Sequence, residues 1–132
     1  MADRARLLQT VEEASMLLDR VRSMKDERRY ADAARELSSG YPLLGLTRRS
    51  MQLSDPIQVP GELTHPELIR ALGELLANEA DLLRLEGDHD SSVATARWTL
   101  ALLLRGAPPG DYSTLTRALL ALAEGQPPPE PL

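Results

Sequence analysis

Apolar residues in the first part of the chain recur at alternating steps of four and three. Leu7, Val11, Ala14, Leu18 and Val21 therefore share one face, and the spacing predicts a helix over 3–25 that Asp3 can cap. The charged run Lys25-Asp26-Glu27-Arg28-Arg29 ends this seam and reads as a tight turn. A second helix starts near Arg28 and turns Tyr30, Ala33, Ala34 and Leu37 inward. Ser38-Ser39-Gly40-Tyr41-Pro42 then contains a helix-ending glycine and a proline, which costs an interior helix about 3 kcal/mol, so a break is expected there. A short helical piece from Leu43 to about Leu53 follows, either beyond a kink or as a separate element. Residues 54–63 form the one long loop, with prolines at both shoulders and Ile57 and Val59 to pin it.

The second half is punctuated more clearly. Thr64-His65-Pro66-Glu67 combines an N-cap threonine, a first-turn proline and a glutamate three residues after the cap. The helix it opens runs to about Glu86, with Leu68, Leu72, Leu75, Leu82 and Leu83 on one face. Gly87-Asp88 is a turn, and Asp90 or Ser91 caps a fourth helix that reaches Arg105 and stops at Gly106. A fifth starts at Asp111 or Ser113 and ends near Glu124-Gly125. The expected architecture is a single all-α domain over 1–125. Its five main helices form two antiparallel hairpins plus a closing helix, followed by a proline-rich mobile tail over 126–132.

Composition supports that class. Leucine and alanine supply 26 and 16 residues, valine and isoleucine together six, and phenylalanine none, which leaves little to build the faces of a sheet. No run approaches 18 consecutive apolar residues, so no membrane span is expected. The first residues lead into an amphipathic pattern rather than a signal-peptide block, so a cytoplasmic setting is expected. A net charge of −5 disfavours nucleic acid and anionic membranes as partners. Up to Leu53 the chain carries ten basic and eight acidic residues, and beyond it five and twelve. Fourteen of the fifteen basic residues are arginine, which reads mainly as a GC-rich, bacterial genome. The chain has no cysteine, and hence no thiol nucleophile or thiolate ligand.

Two stretches carry a family resemblance. Arg28-x-Tyr30-x-x-Ala33 and Gly87-x-His89-x-x-Ser92 place a turn residue, an aromatic ring and a small residue at the opening of a second helix. In that layout the two hairpins resemble tetratricopeptide-like helical pairs, offset by 59 residues instead of 34. Leu43-Leu44-Gly45-Leu46 and Leu82–Leu104 look like a group of small bacterial helical proteins related to that repeat. The resemblance implies a helical scaffold that binds a protein or itself, with no catalytic residue.

Candidate chemistry is sparse. Glu62…His65 and Glu86…His89 have the spacing of half a di-iron carboxylate site, but Pro66 and Gly87 keep each string from lying on one continuous helix. Asp88-His89-Asp90 reads as a polar turn. Phosphate loops, nucleophile elbows and a metalloprotease motif are absent, and Lys25 is the only lysine. The arginine pairs Arg28-Arg29 and Arg48-Arg49 read as solvated turns. Glu79 is the carboxylate out of place, on the apolar stripe between Leu75 and Leu82. Counting back and forward from the Gly87-Asp88 turn brings it level with Arg97, so a buried Glu79–Arg97 pair is expected, ahead of a partner from helix one or two and of a catalytic acid.

Helix four has one formal charge between Ser91 and Leu104, Arg97, and should be buried on more than one side. Val93, Ala96, Leu100, Leu103 and Leu104 form the stripe expected to meet helix three. Trp98 and Leu102, flanked by Ala94 and Ala101, point away from it. Either helix five covers that second face or it is a homodimer or partner interface. The favoured function is a non-catalytic protein-interaction or adaptor module, with no cofactor and no metal. It acts by self-association, by a helical groove or by both. The alternative is a small helical enzyme or metal-binding protein using Glu79 with His65 or His89.

Overall fold

The computed structural model describes residues 2–46 and 66–132 of the chain. Over these it is all-α: α1 (Ala2–Asp26), α2 (Tyr30–Ser38), the single-turn α3 (Gly40–Leu43), a 3-10 turn (Pro66–Leu68), α4 (Ile69–Leu85), α5 (His89–Gly106) and α6 (Ser113–Ala123). Five of the α-helices are nine residues or longer, and no strand forms among the described residues. The expected helical extension to Leu53, the 54–63 loop with Ile57 and Val59, the Thr64 cap and the Arg48-Arg49 pair lie outside the described residues.

One turn geometry recurs at the ends of four helices. After α1, Arg28 N–H bonds Lys25 O and Arg29 N–H bonds Met24 O; after α4, Gly87 bonds Arg84 O and Asp88 bonds Leu83 O. Gly45 and Gly125 close α3 and α6 with the same pair of bonds. This closure needs a left-handed residue. Gly45, Gly87 and Gly125 supply it at φ 84°, 89° and 77°, and Arg28 does so at 60° without the freedom of glycine. The residues that then launch α2 and α5 also match, Arg29 at φ −90°, ψ 65° and Asp88 at −88°, 75°. Of the two, only Asp88 caps with its side chain, accepting from the Ser91 N–H.

Burial follows the same 59-residue offset. Ala14 and Gly73, Leu17 and Leu76, Val21 and Ala80, Ala33 and Ser92, Leu37 and Ala96, and Gly40 and Thr99 are all buried. Buried positions on either side of the α1–α2 and α4–α5 turns thus recur at this offset, filled by different side chains.

Helix α4 is the shared element, touching every other helix of the described residues. One side, with Leu72, Leu75 and Leu76, joins Ala14, Leu17 and Val21 of α1, Ala33 and Leu37 of α2, and Tyr41 of α3 in the first core. The other side, with Ala77 and Ala80, meets Ala96 of α5 and Leu115, Leu119 and Leu122 of α6 in the second. Helices α4, α5 and α6 pack as antiparallel neighbours. At Gly73 an added Cβ would stand 3.2 Å from Leu103 and Leu115, so the missing side chain lets α5 and α6 close on α4 together.

Gly40 differs from the expected breaker. It begins a further helical turn, buried, where an added Cβ would come within 3.0 Å of Leu75. Pro42 is harmless there, because an N–H in the first turn has no intrahelical partner to lose. In the 126–132 segment no helix or strand forms, and Leu132 packs against the second core.

Candidate functional site

The most unusual chemistry of the described residues is a buried polar cluster between α1 and α4. The α1 seam continues from Val21 by four residues to Lys25, which brings this cation to the core face. The Lys25 side chain is 5% exposed, and its Nζ donates to Asn78 Oδ1 at 2.8 Å and Asp81 Oδ2 at 3.0 Å. Arg84 donates to the other carboxylate oxygen, from Nη2 at 2.8 Å and Nε at 3.2 Å. Asn78 donates in turn to the Glu74 carbonyl. Burial holds the Lys25 ammonium below its ordinary range, while Asp81 draws it partway back. Every charge here has a partner, so the cluster ties α1 to α4 and offers no open amine to a substrate.

Glu79 and Arg97 do not meet as expected. Glu79 is half-buried and accepts a hydrogen bond from Tyr41 Oη at 3.1 Å, whereas Arg97 is exposed. The cause is the rotation of α5. Its buried residues are Ser92, Ala96, Thr99 and Leu102. At 100° per residue the centre of this buried face is turned by roughly 85° from the centre of the stripe read in the sequence, although Ala96 belongs to both and Leu103 still reaches Gly73 of α4. Two hydroxyls make that face affordable to bury: Ser92 Oγ donates to the Ala80 carbonyl of α4 at 2.7 Å, and Thr99 Oγ1 to the Thr95 carbonyl at 2.7 Å. Arg97 is carried to solvent, and Leu104 is left 87% exposed.

The same rotation alters the proposed interface. Leu102 is fully buried in the first core and Trp98 packs against that core, half-buried. Ala101 is half-buried and Ala94 exposed. Helix α6 lies on the other flank of α5, against Leu100 and Leu103. Of the expected second face, Leu102 is thus withdrawn into the first core, while Trp98 and Ala101 keep part of their surface and Ala94 stands exposed.

His89 is exposed at the start of α5, and Gly87 separates it from Glu86 at the end of α4. Glu62 and His65 lie outside the described residues. No three His, Cys, Asp or Glu side chains among the described residues come together as a metal site. A shallow polar depression is lined by Asp19, Arg20, Ser23, Met24, Glu27 and Arg29. Its cations are engaged, Arg20 with Glu36 and Arg29 with Glu27 and Asp32.

The first three turns of α1 present a different surface. Its fully buried residues begin at Ala14, Leu7 is half-buried against the first core, and Leu8 and Val11 stand 61% and 45% exposed. No helix of the described residues is long and apolar enough to cross a membrane. Comparisons with protein-family models, curated proteins and solved structures yield no match to this chain.

Proposed function

We propose that the chain is a non-catalytic protein-interaction module, a stack of two like hairpins and a closing helix in the manner of tetratricopeptide-like pairs, working in the cytoplasm. The observation that carries the reading is α1. One side of it is consumed by the core and by the Lys25 cluster, while its first three turns expose Leu8 and Val11 to solvent. Repeated hairpins spend their interior on neighbour packing and leave edges and ends for partners. The enzyme reading gains no comparable support, since Glu79 is engaged by Tyr41 and His89 stands exposed at a turn.

The test is a photo-crosslinking side chain placed at Leu8, or at the exposed Arg97 as a control, in the intact chain inside its native host. The proposal expects discrete protein adducts from position 8 and few from position 97. No adduct from position 8, or the same adducts from both, would contradict it.

A further inference from the structure

We infer that the exposed face of the first turns of α1 is a self-pairing surface that takes the same face of a second copy, antiparallel and centred on Leu8. This deepens the interaction-module reading and rests on it. Arg4, Leu8, Val11 and Ser15 step by four, three and four, so they share one side of α1, with Glu12 at its edge. All five are exposed. The side lies roughly a third of a turn from the core seam of Ala14, Leu17 and Val21, so burying it against another molecule disturbs nothing within the fold.

Charge identifies the occupant. Arg4 and Glu12 stand four residues to either side of Leu8. A two-fold axis at Leu8 sets Arg4 of each chain opposite Glu12 of the other and packs Leu8 on Leu8, as a self-complementary interface requires. Parallel pairing in register would oppose like charges. Neither Arg4 nor Glu12 has an ion-pair partner among the described residues, whereas Arg20 and Lys25 further along α1 are both paired. A cation in the first turn is also disfavoured by the helix dipole, which a carboxylate from a second chain would offset. The overlap spans about three turns of helix, far below a standard interface, so the pairing is weak, with a Kd on the order of 100 μM.

The experiment is sedimentation equilibrium on the intact chain from about 10 μM to 1 mM, with circular dichroism to show that each variant stays helical. The wild type should shift from monomer to dimer over this range, and Leu8→Glu should remain monomeric. Arg4→Glu and Glu12→Arg should each weaken association about fivefold or more. The double variant, or an equimolar mixture of the two single variants, should recover it to within about twofold, because each restores opposite charges across the axis. A wild type that is monomeric throughout, or charge variants that fail to rescue one another, would overturn the pairing. If adducts to another protein still form from position 8, the module reading survives that failure. Their absence would remove both.

Discussion

A buried lysine is tolerable only where its charge is met, and Lys25 shows how few groups that takes. Asp81 and Asn78 receive it, and Arg84 completes the carboxylate from the other side. Lys25→Met should cost about 3 kcal/mol in chemical denaturation, since Asn78 and one Asp81 oxygen lose their buried donor. Lys25→Met with Asp81→Leu should cost clearly less than the sum of the single changes. The pH dependence has a definite sign. Because burial lowers the Lys25 pKa, the folded chain releases this proton before the unfolded chain does, so stability from this group rises with pH between the lowered value and 10.5. Denaturation at a series of alkaline pH values should show the wild type gaining on Lys25→Met over that window. In sequence the α1 seam ends at Lys25, within a charged turn, because a cation at the next seam position has no visible partner nearby. Asn78 and Asp81 sit on α4 more than fifty residues away, and only packing brings them to it.

At the scale of the element, turns were more legible than faces. Gly87 and Gly125 were recognisable stops because a left-handed residue is needed where such helices close. Arg28 occupies the same position, and its unfavourable backbone makes a prediction. Arg28→Gly should raise stability by about 1 kcal/mol and leave the structure unchanged, as thermal unfolding would show. Of the expected α5 stripe Ala96 is buried and Leu103 reaches Gly73 of α4, but Val93 and Leu100 are half-buried and Leu104 is exposed, because apolar character alone selected them. Ser92 and Thr99 could not be placed inward from sequence, since the acceptor of Ser92 belongs to another helix. The two readings differ measurably. Ser92→Leu should overpack the close approach of α5 to Ala80 and cost about 1–3 kcal/mol. Arg97→Leu, at the position expected in the core, should change stability by less than about 0.5 kcal/mol.

At the scale of the whole molecule, the described residues are organised by α4, which divides two cores and joins α1, α2 and α3 to α5 and α6. The helical class, the number of long helices and the antiparallel run of α4, α5 and α6 could be read from periodicity and turn signals, because each depends on local spacing. The surface left over could not. Val11 belongs to the α1 seam read in sequence, yet the side of α1 that meets the body runs through Leu7, Ala14, Leu17 and Val21, so Val11 stands in solvent. The exposure of Leu8 and Val11 on the first turns of α1 carries the functional account. The most direct measurement is amide hydrogen exchange along α1 at about 10 μM and at about 1 mM. The account predicts slow exchange over residues 14–25 at both concentrations. Over residues 5–13 it predicts fast exchange when dilute and marked protection when concentrated. Equal protection of both halves in the dilute sample, or fast exchange of residues 5–13 even in the concentrated one, would contradict it.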